Sequence, residues 1–204
     1  LIIREEPVED EEEEPEEKAL RHLDPRILET PAFAVENAVK EVVRMGEIVL
    51  KNLNRVTKEA MSGEPRQRKI DKVHNDEQVI NHLEPMITEY LVKISHLAIT
   101  EKEMKVVNNL FDSITDIERS GDHVENMAGY LQHIKDMNEN ISEDAIEELR
   151  NMNNIVRAAF ESAICAIEFD DTKEAKEALG YLDNPESGYQ AWVNTSYREK
   201  GFVS

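Results

Sequence analysis

Apolar residues recur at steps of three and four along most of this sequence, which is the spacing of an amphipathic α-helix. The four clearest runs cover residues 35–60, 70–94, 104–131 and 149–166. Strand-type alternation of apolar and polar residues is absent from the sequence, and the segments between the runs are short. The sequence therefore predicts an all-α fold, an elongated antiparallel bundle of long helices joined by short loops.

Capping residues and prolines predict where these helices begin and end. Thr30 at the N-cap and Pro31 at the first helical position start the first helix, which should end near residues 62–63. The second helix begins around Pro65. Its interior Pro85 is expected to kink it, because proline cannot donate the backbone hydrogen bond.

The third helix starts at a capping box formed by Thr100 and Glu103, so the hairpin before it turns near residues 97–100. Ser142 opens the fourth helix. The positions of that helix predicted to face the core are Leu149, Met152, Val156, Ala159, Ala163 and Ala166. A fifth helix should stop near Leu179, because glycines and prolines follow it.

The charge balance limits the partners that this chain can have. Acidic residues number 44 against 24 basic ones, for a net charge of −20. Nucleic acid is not an expected partner, because phosphate contacts need clustered lysines and arginines. The single cysteine, Cys165, indicates a reducing compartment. No apolar run approaches the roughly 20 residues that a membrane-spanning helix needs, so no direct membrane span is expected here.

Three regions follow from this pattern. Residues 1–22 are predicted to be a flexible acidic linker, because the nearly unbroken acidic run from Glu5 to Glu17 cannot bury apolar surface. A solubilising tail is the alternative for this region. Residues 23–179 should form the helical bundle, and residues 180–204 should be irregular or only briefly helical.

Two polar stripes are the candidates for function. The third helix carries acidic residues at i, i+4 and i+7, namely Glu118, Asp122 and Glu125. The second helix repeats this spacing with Glu77, Asn81 and Glu84. In an antiparallel hairpin that turns near residues 97–100, Glu77 should lie at the level of Ser120. The two stripes would then converge beside Gly121, whose missing side chain leaves room for an ion or a second helix.

Facing carboxylates on antiparallel helices are how some four-helix proteins hold two metal ions. Oxygen ligands favour ions such as Mg, Mn, Ca or Fe over ions that prefer thiolate ligands. The predicted metal ligands are Glu77, Asn81, Glu118 and Asp122. The predicted supporting residues are Glu84, Arg119, His123, Glu125 and Asn126.

A structural interpretation of the same residues stays open. Glu118 and Asp122 are able to pair with Arg119, Lys72 or Lys69, at no more than about 1 kcal/mol per surface pair. A single histidine in a helix, such as His123, more often supports the scaffold than binds a ligand. The sequence contains no catalytic triad in a strand-turn-helix context and no glycine-rich phosphate loop, so an enzyme is not expected. A metal-dependent hydrolase is disfavoured, because a positioned base is missing.

Residues 116–126 resemble the signature of PhoU-type proteins, in which a helix carries Asp-x-Glu-Arg-x-Gly-Asp-His-x-x-Asn. Residues 23–32 and 87–93 are similar to the PhoU-like cytoplasmic domain that follows the membrane part of bacterial sodium/phosphate cotransporters. An acidic linker precedes that domain, as residues 5–17 do here. The start at Leu1, without a methionine, fits an excised C-terminal domain.

This resemblance covers about residues 20–170 and implies PhoU-like three-helix repeats, the second of them incomplete. It implies a regulatory role in phosphate uptake at the cytoplasmic face of the plasma membrane, with the membrane transporter domain of the same parent protein as partner. It also implies multinuclear metal sites on Glu/Asp-x-x-x-Asp motifs, which Glu118 and Asp122 match.

Glu77 matches that motif only in part, because the family has acidic residues where this chain has Asn81 and Gln78. A weaker site is therefore expected, for a divalent or trivalent ion with Fe, Mn, Mg and Zn as candidates. The alternative function is a structural helical adaptor without metal. It would bind a partner helix, or form a homo-oligomer, through an open apolar groove.

Overall fold

The computed structural model describes residues 23–169 together with residues 173, 176 and 180. A short 3-10 helix, Pro25–Glu29, precedes four long helices, which are α1 (Pro31–Met61), α2 (Gln67–Ser95), α3 (Glu101–Asp136) and α4 (Glu143–Phe169). These parts of the chain contain no β-strand. The predicted all-α bundle is confirmed. The predicted linker at residues 1–22, the helix end near Leu179 and the segment beyond Gly180 lie outside the described residues.

The helices begin and end close to the predicted positions. α1 begins with Pro31 and ends before Gly63, whose φ of 73° is a conformation that favours glycine. Thr100 and Glu103 form the predicted capping box, since the Thr100 N–H donates to Glu103 Oε2 over 2.7 Å and the Glu103 N–H donates to Thr100 Oγ1 over 3.2 Å. α2 begins at Gln67, two residues later than predicted, and continues through Pro85.

Helices α1, α2 and α3 pack against one another and enclose the main core. Its largest fully buried apolar side chains include Met45, Ile80, Leu83, Ile87, Leu91 and Ile114. Each of these three helices contributes an apolar stripe of the predicted period, so burial of these stripes, rather than helix propensity, is the main source of stability. This three-helix unit fixes how α2 and α3 lie side by side.

Helix α4 packs mainly against α1. The approach is close at Gly46, where a β-carbon would lie 3.1 Å from the side chain of Ile164. About three helical turns away, the Thr57 hydroxyl donates a hydrogen bond to Oδ1 of Asn153 over 2.9 Å. α1 therefore has extensive contacts on two sides, with α2 and α3 on one and α4 on the other.

The predicted core face of α4 is wrong in part. Met152 is 62% exposed and Val156 is 38% exposed, whereas Asn154 and Ser162 are buried. Ala159 is buried as predicted. Among the described helices, α4 has its extensive contacts with α1, and its buried stripe consists of Asn154, Ala158, Ala159, Ser162 and Ile164. None of the helices in the described part of the chain is long and apolar enough to cross a lipid bilayer.

Candidate cation site between helices α2 and α3

The carboxylate of Glu77 on α2 is buried against Gly121 on α3. The Glu77 residue is only 2% exposed. A β-carbon on Gly121 would lie 2.7 Å from Oε2 and 3.2 Å from Oε1 of Glu77, which is closer than packing allows. The absent side chain of Gly121 therefore makes the space that the carboxylate occupies. The predicted register, which put Glu77 at the level of Ser120, is correct to within one residue.

Glu77 lacks the partners that a buried carboxylate normally has. Its Oε1 atom accepts no hydrogen bond from any of the described residues. Burial raises the pKa of Glu77 to about 7, and the negative charges of Asp122, Glu125 and Glu118 add to this effect. An unpaired charge in such a place is unfavourable unless a cation or a proton compensates it.

The acidic stripe of α3 lies beside this carboxylate. Glu118 is half-buried, and burial together with the charges of Asp122 and Glu84 raises its pKa, while Arg119 opposes that shift. Lys72, one of the cations that the structural interpretation offered to Glu118 and Asp122, instead donates to Asp76 over 2.7 Å.

The other predicted residues are more exposed to solvent than Glu77. Asn81, Arg119, Asp122, His123 and Asn126 are exposed at the surface. Glu84 and Glu125 are half-buried. The charges of Glu118, Asp122 and Glu125 thus act on the Glu77 carboxylate, whereas Asn81 and His123 lie at the surface.

Sequence reasoning missed His74. Its Nδ1 atom lies 3.0 Å from Oε1 of Glu125, which links α2 to α3. This pair has the same antiparallel register as Glu77 and Gly121, displaced by one helical turn. His74 precedes Glu77 by three residues, and that spacing on one helix face is the signal that could have identified it.

An open groove lies next to this pair. It has a volume of about 540 Å³ and is lined by His74, Glu125, Asn126, Gly129, Tyr130 and His133. Nothing stands within 4 Å of where a β-carbon on Gly129 would be, so this glycine leaves open space rather than a close contact. The acidic stripe is thereby accessible to solvent at its Glu125 end.

The fit of a cation to these residues depends mainly on Glu77. Within residues 23–169, 173, 176 and 180, no group of three or more His, Cys, Asp and Glu side chains is already arranged to hold a metal ion. The Oε1 atom of Glu77, however, has no hydrogen-bond partner among the described residues, and the negative charges of Asp122, Glu125 and Glu118 act on this carboxylate. Carboxylate oxygens suit hard cations. Glu77, Glu118 and Asp122 could bind one after rotations of the two more exposed side chains.

The family model of the PhoU domain matches residues 42–131, which include most of α1, all of α2 and most of α3. The match shows that the contact between Glu77 and Gly121 lies within the part of the chain that is similar to the PhoU domain.

Three relatives carry the name "Putative inorganic phosphate export protein YjbB". Those of Escherichia coli strain K12 and Shigella flexneri are each 35% identical over 134 residues, and that of Salmonella typhimurium is 30% identical over 131 residues. The matches cover 64% of this chain but only 22% of each relative. No solved structure matches significantly.

Proposed function

We propose that this chain is a non-enzymatic regulatory domain of phosphate transport, attached to a sodium-dependent phosphate transporter at the cytoplasmic face of the plasma membrane. The PhoU domain match and the relatives named for phosphate export support the link to phosphate. The chain corresponds to 22% of those relatives, so the remaining 78% is where a transport function would lie. In this proposal the domain acts on transport and does not carry it out.

The regulatory input is a cation held by carboxylates from α2 and α3. The observation that carries this part is Glu77, which is buried, unpartnered at Oε1 and placed against Gly121. A divalent or trivalent cation would compensate the charges of Glu77, Glu118 and Asp122 together. Asn81, a neutral ligand at the surface, would complete the set more weakly. Binding would draw the two helices together and stabilise the folded state.

The cation site is tested by titrating Mn²⁺ into the chelator-treated chain by calorimetry. We expect wild type to bind, and the substitutions Glu118→Gln and Asp122→Asn each to weaken binding at least tenfold. Asp112→Asn is the matched control, because Asp112 is an exposed acid of α3 outside the stripe. Equally weak binding by wild type and by both variants would reject the cation site.

The attachment to a transporter is tested independently of the metal. Several long apolar segments encoded in frame before Leu1 would support it, and a start codon directly before Leu1 would reject it. In the parent protein, deletion of residues 23–179 should leave phosphate flux measurable but unresponsive to the external phosphate concentration. Loss of all flux with normal protein abundance would contradict a purely regulatory role.

The second candidate function is a structural adaptor that works without metal. The exposed apolar side chains of Met152 and Val156 on α4 favour it, because a partner helix or a second copy could cover them. Analytical ultracentrifugation distinguishes the two. An adaptor that self-associates should lose its dimer when Met152→Glu is introduced, whereas the cation-dependent domain should not change.

A further inference from the structure

In the contact between His74 and Glu125, the histidine is the hydrogen-bond donor and the carboxylate is the acceptor. Nδ1 of His74 lies 3.0 Å from Oε1 of Glu125. An ionised carboxylate can only accept hydrogen bonds, so the ring nitrogen that faces it carries the proton. The imidazole therefore fixes one oxygen of Glu125 and leaves the other oxygen free to accept a different partner.

Stability alone gives little reason for this contact. The His74 side chain is 39% exposed and that of Glu125 is 40% exposed, and pairs at such exposed positions contribute little to folding. The helices are already held together by the apolar residues beneath. A hydrogen bond that hardly affects the fold can still fix the orientation of a ligand.

The position of the pair relates it to the cation site. Glu125 follows Gly121 by four residues on α3, and His74 precedes Glu77 by three residues on α2. Antiparallel packing therefore stacks the pair one turn from the contact between Glu77 and Gly121. The negative charge of Glu125 also contributes to the raised pKa of Glu77, in agreement with a position one helical turn away.

We propose that His74 is a positioning residue that orients Glu125 as an additional oxygen ligand of the cation between α2 and α3. This inference rests on the cation binding proposed above for Glu77, Glu118 and Asp122. Its chemical basis is that a hydrogen-bonded partner behind a ligand typically changes metal affinity by about 10- to 100-fold. Asn81 is neutral and exposed, whereas Glu125 adds a negative charge on the other side of the contact between Glu77 and Gly121.

The experiment is a calorimetric Mn²⁺ titration of the full 204-residue chain after chelator treatment. His74→Leu removes the donor and should weaken Mn²⁺ binding about 10- to 100-fold. His74→Asn keeps an N–H near the place of Nδ1 and should restore affinity to within about threefold of wild type. His82→Leu is the control, because His82 is an exposed histidine of the same helix and should leave affinity unchanged.

A double-mutant cycle tests whether His74 acts through Glu125. Glu125→Gln alone should weaken Mn²⁺ binding, and adding His74→Leu to it should weaken binding no further. The urea midpoint of metal-free His74→Leu should match that of wild type, which separates positioning from a structural role.

Different results would overturn the role of His74 and the cation site itself. Unchanged affinity in His74→Leu, or additive effects in the cycle, would overturn the role of His74. Loss of binding in Asp122→Asn would still support the cation site in that case. If wild type binds no Mn²⁺, the role of His74 and the cation site are both overturned.

Discussion

Oε2 of Glu77 lies 2.7 Å from the point at which a β-carbon of Gly121 would stand, so a side chain on Gly121 and the present position of this carboxylate exclude each other. The carboxylate is the end of a flexible side chain and is able to move away. The contact therefore determines where an acid lies rather than whether the domain folds.

Gly121→Ala should displace the Glu77 carboxylate and weaken Mn²⁺ binding at least tenfold. Replacing a glycine by alanine inside a helix ordinarily raises the free energy of unfolding by about 0.5–1 kcal/mol. Gly129 lies on the same helix with open space where a β-carbon would be, so Gly129→Ala should show the full gain in the free energy of unfolding and should bind Mn²⁺ as wild type does. Urea unfolding and calorimetry measure both quantities. If Gly121→Ala gains as much stability as Gly129→Ala and binds Mn²⁺ as wild type does, the Glu77 carboxylate is not displaced.

The metal-free domain should become more stable as the pH falls from 8 to 5.5. The pKa of Glu77 is raised from 4.5 to about 7 in the folded state, so the folded state binds a proton in this window more readily than the unfolded state does. The full shift corresponds to about 3 kcal/mol in the free energy of unfolding. Glu77→Gln should be more stable than wild type at pH 8 and should flatten the profile. Urea unfolding in the presence of a chelator measures this, and a wild-type stability that rises with pH would contradict it.

Glu59 should show the opposite pH dependence. It is buried, accepts the backbone N–H of Arg66 over 2.9 Å and hydrogen-bonds to the Arg66 guanidinium, which lowers its pKa. Because the pKa is lower in the folded state, this stabilisation is present above pH 4.5 and is lost as the pH falls through the folded pKa. Glu59→Ala should cost about 1–3 kcal/mol at pH 7, because the N–H at the start of α2 loses its acceptor. Glu64→Ala, at an exposed residue of the same loop, should change stability little in the same urea experiment.

Helix α4 should open more readily than α2 and α3. It packs mainly against α1, and regions with fewer packed neighbours exchange amide hydrogens at lower free energies. Ile164→Ala should remove the contact with Gly46, cost about 2 kcal/mol or more and raise exchange in α4 first. Met152→Gln, at a residue that is 62% exposed, should change stability by less than about 0.5 kcal/mol. Equal exchange protection of α4 and α2 would contradict this order.

Local signals made much of the fold predictable from the sequence. Pro31 starts α1 because it has no N–H to leave unpaired in the first turn, and the capping box of Thr100 and Glu103 starts α3 because it satisfies backbone N–H groups locally. The short hairpin between α2 and α3 then fixed the level of Glu77 to within one residue. In a two-helix hairpin, loop position and rise per residue determine the register.

The sequence did not predict which side chains are buried or paired where one helix packs against another. Met152 and Val156 have the spacing of a core stripe, yet they face outward, because α1 meets α4 at Asn153 and Ile164 instead. His74 was missed for a related reason. Its spacing of three residues from Glu77 places it on the same helix face, but its role follows from a contact with Glu125 on the neighbouring helix.

Helix α1 takes part in two separate interfaces, one with α2 and α3 and the other with α4. A fragment that ends at Asp136 would keep the interface of α1 with α2 and α3 and would expose the face of α1 that α4 covers. A fragment that begins at Glu143 would have lost the surface on which its only described helix rests. The described helices therefore cannot be divided after Asp136 into two independent halves.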